Sequence, residues 1–173
     1  MQRVAELPTH AVSESTFADL LKPLIEPGFR LALAMLHDAQ AAEDAVQEAS
    51  FTAWRKLGRM HDQGRLRPWF LGVVANKCRN ARRNRWTAVS VGVSEEISVG
   101  SGEDRSLSGA DLRRAIARLR HDDRLVVVLY FYLDMPLDEV AAVAGSSLGA
   151  ARARLYRAVK KLRPDVAVEE ALR

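Results

Sequence analysis

Apolar residues recur at helical spacing along most of this chain, and turn-forming residues separate the periodic stretches. In the stretch 37–57 the spacing predicts a helix with one buried side, formed by Val46, Ala49, Ala53, Trp54 and Leu57. Asp38 is placed to cap the start of this helix, and Gly58 is placed to end it. The opposite face then presents its acidic and amide side chains to solvent: Glu43, Asp44, Gln47 and Glu48.

Two further helical segments flank that helix. Pro23 and Pro27 interrupt the apolar stretch before it, so we expect a broken helix there, because proline removes a helical N–H group. After a loop at 59–67, a third helix begins near Pro68, a residue type that suits a first helical turn. This third helix starts apolar and ends in four cations: Arg79, Arg82, Arg83 and Arg85.

The pattern beyond residue 106 is again helical, starting with a stripe of Leu112, Ala115, Ile116 and Leu119. The apolar run 125–133 fits either a buried helix or a buried strand. The sequence offers no partner strand, so we predict a buried helix. Pro136 opens another helix through about Ala144, and Gly145 marks the turn that leaves it.

Residues 87–106 have the composition of a linker. They include three Gly and five Ser residues and show no sustained helical period. The predicted fold is therefore all-α, with two small helical domains, 1–86 and 107–173, joined by this flexible linker. Each block is long enough to bury a helical core of its own.

The stretch 145–163 carries six Arg or Lys residues and no acidic residue. On a helical wheel of residues 148–162, at about 100° per residue, one apolar face is formed by Ala151, Leu155, Ala158, Val159 and Leu162. Cations and Tyr156 cover the remaining surface. We therefore expect a helix that packs by one stripe and presents hydrogen-bonding cations outward.

Two interpretations of this basic helix stay open on the residues alone. A solvated surface helix is the ordinary one, but no acid is present to form salt bridges between its turns. The helix also follows the short helix 136–144 through a Gly-containing turn. That order is typical of a helix-turn-helix, whose second helix enters the major groove, where arginine reads guanine edges and holds phosphates.

Composition narrows the class of protein. The 173 residues are 48% hydrophobic and 28% charged, with a formal net charge of +4, which is typical of a globular protein. The longest apolar run is less than half a membrane span, and the first ten residues lack the apolar core of a signal peptide. We therefore expect a cytoplasmic protein with no membrane insertion.

The sequence offers little for catalysis. Cys78 is the only cysteine, which excludes an internal disulfide and offers no zinc site, and the four histidines are scattered. Glu43, Asp44 and Glu48 are close enough to suggest a carboxylate site, but no histidine, phosphate-binding glycine loop or nucleophile–base pair lies nearby. We expect no enzyme: no catalytic residue, no metal site and no cofactor.

Three stretches carry a resemblance to a known family. They are DAQAAEDAVQEASFTAW at 38–54, PWFLGVVANKCRNARR at 68–83, and a long segment at 119–163 that ends in GSSLGAARARLYRAVKKLR. In this order they resemble regions 2 and 4 of bacterial sigma-70 family sigma factors, in the extracytoplasmic-function (ECF) group. The resemblance covers about 20–163 and implies a subunit that binds core RNA polymerase, promoter DNA and an anti-sigma factor.

The resemblance implies roles for particular residues. It places Asp44, Gln47 and Glu48 against core polymerase. It assigns the −10 promoter element to Trp69, Asn76, Arg79, Asn80, Arg82 and Arg83, with the loop 59–67 beside a flipped base. It assigns the −35 element to Ser147, Gly149, Arg152, Ala153, Tyr156 and Arg157. Trp69 is equally well explained as a core residue. For the acidic face, a solvated surface is the alternative interpretation.

The chain departs from the family pattern at several positions. Ala150 and Ala151 stand where Thr-Val is frequent, and Ala153 stands where Ser is. Asn80 replaces a common Asp, and Pro136 replaces a common Ser or Thr cap. These departures affect which promoter sequence we expect the chain to recognise, rather than its function. A stand-alone helix-turn-helix regulator is the alternative function, but it leaves 38–57 and 68–86 unexplained.

Overall fold

The computed structural model describes residues 14–57, 63–89 and 107–162, and all regular structure in these ranges is helical. The predicted all-α class is therefore confirmed for the described parts of the chain. The helices are α1 (Glu14–Leu36), α2 (Ala39–Leu57), α3 (Leu66–Val89), α4 (Leu107–Arg118), α5 (His121–Val127), α6 (Leu137–Ala144) and α7 (Leu148–Leu162). A 3₁₀ turn (Gln63–Arg65) precedes α3, and a π-helical turn (Val128–Tyr132) follows α5.

Helix α1 is continuous, so the predicted break at its prolines is wrong. Pro23 and Pro27 both lie inside the helix. They are one turn apart, Pro23 on the exposed surface and Pro27 partly exposed, where water can satisfy the carbonyl groups that lose their N–H partners. The opposite side keeps an unbroken buried stripe that includes Leu24, Leu31 and Met35, and its packing holds the helix together.

Helix α2 begins as predicted. The Asp38 carboxylate accepts a hydrogen bond of 2.9 Å from the backbone N–H of Ala41, so it satisfies one of the unpaired donors of the first turn. One member of the predicted stripe is wrong: Trp54 is 46% exposed. It lies at the edge of the stripe, where its large ring projects beyond the core and meets Phe17 edge-on at 4.9 Å.

Helix α3 extends beyond its predicted limits at both ends. It begins at Leu66, two residues before Pro68, and runs to Val89, three residues into the predicted linker. Residues 90–106, the rest of the linker, lie outside the described ranges, as do residues 59–62 of the predicted loop and Gly58, the predicted end of α2. The first half of α3 supplies Phe70, Leu71 and Val74 to the core, all fully buried.

The run 125–133 is helical, which confirms the helix over the strand. Its second half is a π-helical turn, in which the N–H of Leu133 donates to the carbonyl of Val128 at 3.0 Å, five residues back. Val128 and Leu129 are buried, whereas Phe131 and Tyr132 are 42% and 57% exposed. The wider turn therefore places two aromatic side chains at the surface.

Helices α6 and α7 are joined by a tight turn. Gly145 ends α6 in the left-handed region, at φ 63°, which a residue without Cβ adopts at no steric cost. The N–H of Ser146 donates to the carbonyl of Ala141 at 2.9 Å and closes the turn. Pro136 starts α6 without a side-chain cap. Two helices joined by this glycine turn have the geometry expected for a helix-turn-helix.

The described helices share one buried apolar cluster. Helices α1, α2 and α3 pack on one another, and α5, α6 and α7 form a second group. The two groups meet where α3 packs on α6. At this crossing Gly72 carries no side chain, and a Cβ there would lie 3.9 Å from the Cα of Val143, so the backbones approach closely.

We expect Phe70→Ala to lower the free energy of unfolding by about 3–5 kcal/mol, because it leaves a cavity where a fully buried ring packs. The matched control is Phe51→Ala on α2, whose ring is 62% exposed, and which should change stability by less than about 0.5 kcal/mol. Urea unfolding followed by circular dichroism measures both. Equal losses for the two variants would contradict the assigned core.

Candidate nucleic-acid and protein-binding surfaces

Helix α7 packs by the stripe predicted from its sequence. Its buried residues are Ala151, Leu155, Ala158, Val159 and Leu162. The hydroxyl of Ser147 accepts a hydrogen bond of 3.2 Å from the N–H of Ala150 and so caps the helix start. The rotation of α7 about its axis is therefore set by five apolar contacts and one cap.

The predicted −35 residues lie on the free side of α7, apart from Ser147, which directly precedes the helix. Each is exposed: Ser147, Gly149, Arg152, Ala153, Tyr156 and Arg157. Tyr156 is the most open of the large apolar side chains here, at 66%. Ala151 is fully buried, so the valine that the family frequently has at this position would face the core. Ala150, where the family frequently has threonine, faces outward. The face is one that a duplex groove can reach.

Arg154 differs from its neighbours on α7. It is partly buried, and its Nη1 lies 3.3 Å from Oδ2 of Asp122 on α5. About two turns further along the helix, Lys161 donates to Oδ2 of Asp123 at 2.8 Å. Sequence periodicity missed both pairs because α5 and α7 are about thirty residues apart in the chain, a separation that only packing closes.

The second half of α3 carries the predicted −10 cluster. Its side chains are exposed: Asn76, Arg79, Asn80, Arg82 and Arg83. Arg79 donates to the amide oxygen of Asn76 at 2.9 Å, and its Nη2 lies 3.9 Å from Oδ1 of Asp122. Trp69 sits apart from this cluster, about 10 Å along the helix from Asn76, and packs against the core.

The outer face of α2 presents the predicted polymerase-binding residues. Asp44, Gln47 and Glu48 are exposed. Gln40 donates to Asp44 at 3.3 Å, and Glu48 pairs with Lys77 of α3 at 2.9 Å. Both carboxylates stay exposed and can meet a partner.

Phe51 borders this acidic face and was missed by the sequence reasoning. Its ring is 62% exposed, and the guanidinium of Arg55 stacks over it at 5.0 Å. Together with Gln47, Glu48 and Lys77 it lines a shallow cleft. The available signal was its position opposite the apolar stripe of α2, since an exposed aromatic ring is a frequent anchor in protein interfaces.

Asp122 is the charged centre between α3, α5 and α7. Burial raises its pKa, but the hydrogen bond with His121 and the charges of Arg154 and Arg79 outweigh burial, so the pKa is lowered overall. His121 Nδ1 lies 3.3 Å from Oδ1 of Asp122. Its Nε2 is buried without a hydrogen-bond partner among the described residues, which suits a neutral ring that donates through Nδ1.

Two histidines lie in the described ranges: His121 is buried and His37 is partly buried. Burial lowers the pKa of His37, and the nearby charge of Arg124 lowers it further. Burial also lowers the pKa of His121, against the opposing hydrogen bond with Asp122. The Cys78 thiol is fully buried, and burial raises its pKa to about 12, so it stays protonated and unreactive at neutral pH.

The described residues form neither a metal site nor a membrane-spanning helix. Among residues 14–57, 63–89 and 107–162, no group of three or more His, Cys, Asp or Glu side chains is placed to hold a metal ion. Within the same ranges, no helix has the length and apolar character that crossing a membrane requires.

Two protein-family models match this chain, one on each side of the predicted linker. Residues 21–87 match the family model of sigma-70 region 2, and residues 110–162 match the model of sigma-70 region 4. The chain belongs to the sigma-70 family, in its ECF group. As a sigma factor, it serves promoter-specific transcription initiation by RNA polymerase.

Individual relatives support this assignment. The sigma factor CarQ of Myxococcus xanthus is 31% identical over 133 residues, which cover 75% of this chain and 76% of CarQ. A probable sigma factor of Xanthomonas campestris, RfaY, is 29% identical over 146 residues, and the match spans 79% of this chain but only 36% of that longer relative.

A solved structure shows the same fold. The sigma factor RpoE of Bartonella quintana, crystallised with the anti-sigma factor NepR, superposes with a TM-score of 0.76 at 22% identity, covering 89% of this chain and 98% of that one. The helix order and packing described above are therefore those of a sigma factor fold.

We expect the free energy of unfolding of this sigma factor to fall as pH drops from 8 to below 6. Both His37 and His121 have lowered native pKa values, so the unfolded chain takes up protons first, near pH 6.5. Stability is complete above that pH and is lost as pH falls through it towards the native values. Chemical denaturation at a series of pH values measures the slope.

The control for this pH dependence is the double variant His37→Gln with His121→Gln, which keeps the other two histidines of the chain. Its unfolding free energy should vary less between pH 8 and 6 than that of the parent. A parent whose stability is unchanged, or rises, as the pH falls would contradict neutral burial of these rings.

Proposed function

We propose that this sigma factor binds core RNA polymerase through the outer face of α2 and reads the −10 and −35 elements with α3 and α7. These roles follow the domains expected from the sequence. Domain 1–86 binds core polymerase and the −10 element, domain 107–173 binds the −35 element, and residues 87–106 link the two. We propose further that it works in the cytoplasm, without catalysis of its own and without a cofactor, and that an anti-sigma factor controls it.

The observation that carries this proposal is the two-sided character of α7. Its apolar stripe is buried and its other side exposes Arg152, Tyr156 and Arg157. The sequence supplies no acid in this helix to neutralise the cations. A capped helix that follows a glycine turn and presents exposed arginines has the shape and charge of a major-groove reader.

The α2 face supports the polymerase contact. It combines the exposed carboxylates of Asp44 and Glu48 with the exposed ring of Phe51. An aromatic anchor with charges at its rim is the usual composition of a specific protein interface. A stand-alone operator-binding regulator does not require this face. The face therefore favours the sigma factor function over the regulator.

We base the anti-sigma partner on the solved relative, which was crystallised in complex with an anti-sigma factor. The fold alone is shared at 22% identity, so the contacts of that complex are not carried over to this chain. What supports the proposal here is the set of exposed aromatic rings on both groups of helices, Phe51 on α2 and Tyr132 after α5.

The polymerase contact predicts that Asp44→Lys with Glu48→Lys weakens binding to core RNA polymerase by at least about tenfold, or about 1.4 kcal/mol. The matched control is Asp19→Lys with Glu26→Lys, two exposed carboxylates of α1 in the same domain, which makes the same change in net charge. Size-exclusion chromatography with sigma-free core polymerase measures co-elution. Equal loss in both variants would show a general charge effect and contradict the assignment.

The DNA contact predicts that Arg152→Glu with Arg157→Glu lowers initiation by at least about tenfold, since a bidentate arginine contact to a guanine contributes about 1–3 kcal/mol. The assay uses reconstituted holoenzyme on promoter fragments selected from bacterial genomic DNA by the parent holoenzyme. Co-elution with core polymerase should be unchanged.

The matched control for this experiment is Arg113→Glu with Arg118→Glu, two exposed arginines of α4. This pair changes the net charge equally but lies off the recognition helix, so initiation should be retained. If core binding by the α7 variant fell as far as its initiation, the separation of polymerase and DNA surfaces would be wrong.

A further inference from the structure

Two cations of α7 contact the neighbouring helix α5. Lys161 donates to Oδ2 of Asp123 at 2.8 Å, and Nη1 of Arg154 lies 3.3 Å from Oδ2 of Asp122. Both acids belong to the first turn of α5. Because Arg154 and Lys161 are seven residues apart, or about two helical turns, they lie one above the other on the same flank of α7.

The other side of α7 carries a second row of side chains. Arg152, Tyr156 and Lys160 follow one another at intervals of four residues, which places them in line along the helix. All three are exposed, and Arg157 is exposed beside them. We call Arg152, Tyr156 and Lys160 the outer row. The neighbouring residues Lys160 and Lys161 therefore lie in different surroundings, although they carry the same charge.

The contact between Lys161 and Asp123 is the stronger of the two. The side chain of Asp123 is only 12% exposed, and a carboxylate removed from water is stable only with a partner. Lys161 keeps about half of its side chain in solvent, so it reaches the buried acid without being buried itself. The side chain of Asp122 is half exposed, and its pair with Arg154 therefore contributes less.

These contacts restrict rotation of α7 about its own axis. The apolar stripe determines which side is buried, but apolar contacts have no direction and tolerate a small rotation. A rotation of about 20° moves a group on the helix surface, about 6 Å from the axis, by about 2 Å. Recognition of a base edge requires placement to within about 0.5 Å. A polar contact that holds one flank of α7 therefore affects what the outer row can reach.

We propose that Asp123 is a positioning residue for recognition of the −35 element and acts through Lys161, which holds α7 in place instead of contacting DNA. Phosphates and base edges are then met by the outer row and Arg157. The inference rests on the proposed binding of α7 to the −35 element, and it divides the cations of that helix by role. Each contact that it uses lies within residues 121–162.

The two neighbouring lysines provide a matched test. Each phosphate contact that is lost makes the slope of log affinity against log salt less steep by about 0.9, because fewer counterions are released. We expect this change for Lys160→Gln, whereas Lys161→Gln should leave the slope unchanged. The assay uses holoenzyme reconstituted with the full chain, on promoter fragments selected by the parent holoenzyme, at a series of KCl concentrations. Equal changes of slope for the two variants would overturn the assignment.

The variant Asp123→Asn tests the positioning role itself. It keeps the size of the side chain but releases the ammonium group of Lys161, which becomes available to phosphate. We expect a salt slope steeper by about 0.9. We also expect the preference of the holoenzyme for the promoter, over the same fragment with its −35 segment scrambled, to fall at least about fivefold.

The control for this variant adds Lys161→Gln to Asp123→Asn. It should return the salt slope to the parent value without restoring the preference for the −35 segment. A loss of stability alone would weaken binding but would not steepen its salt dependence. An Asp123→Asn slope that does not rise, or a preference that does not fall, would overturn the positioning role.

Thermal unfolding of the free chain measures the contact without polymerase or DNA. Lys161→Gln leaves a buried carboxylate without its ammonium partner and should lower the unfolding midpoint by at least about 4 °C. Lys160→Gln should lower it by less than about 2 °C. The losses from Lys161→Gln and Asp123→Asn should not add in the double variant, because both remove the same contact. Additive losses would show that the two side chains do not depend on each other.

These outcomes stay distinct from a failure of the proposed function. If neither Lys160→Gln nor Arg152→Glu with Arg157→Glu changes promoter binding or initiation, α7 does not read the promoter and the proposed function fails. The unfolding experiment reports the contact between Asp123 and Lys161 in either case.

Discussion

The buried guanidinium of Arg124 is the interaction on which the arrangement of the molecule depends. It joins the end of α4 to the end of α1, and so ties together helices from the two sequence regions of the family. Burial, and then the charge of Arg82, lower its pKa, yet a guanidinium stays protonated in proteins. The fold therefore has to surround a permanent cation with carbonyl oxygens, and the ends of helices are where free carbonyls are found.

The apolar stripes decide which charges remain available for binding. Each helix proposed to bind a partner buries its apolar side, so its cations and carboxylates lie on the side exposed to solvent. On α7 this leaves Arg152 and Arg157 exposed, whereas Arg154, at the margin of the stripe, pairs with Asp122. On α3 the same division exposes Asn80 and Arg82 and buries Phe70 and Val74. Binding surfaces of this kind need no pocket, which fits a protein that recognises extended partners.

The contrast between weak and strong contacts suits a subunit that changes shape. Exposed ion pairs such as those of Asp122 contribute little and exchange readily with water or phosphate. The apolar cores of the two helix groups are far more costly to disrupt. Motion is therefore expected between the groups rather than within them, and the polar contacts that cross between the groups are the ones that such motion breaks.

Local periodicity was sufficient for most single helices. The stripe of α7, the cap at Asp38 and the turn at Gly145 depend on residues within a few positions of one another, and the structure agrees with each. The same reasoning was wrong at Pro23 and Pro27, because packing of the stripe on the far side of α1 outweighs two missing hydrogen bonds. It was also wrong at Trp54, whose ring is too large for the edge position it holds.

What the sequence by itself determined is therefore the set of helices, their buried sides and the exposed charge of α3 and α7, since these follow from spacing and side-chain type. Only the tertiary structure decided which distant residues meet. The partners of Arg124 lie up to 89 positions away, and Asp122 meets Arg79 and Arg154 from opposite directions along the chain. No local pattern encodes such contacts, because they arise from how whole helices pack and from which backbone carbonyls that packing leaves without partners.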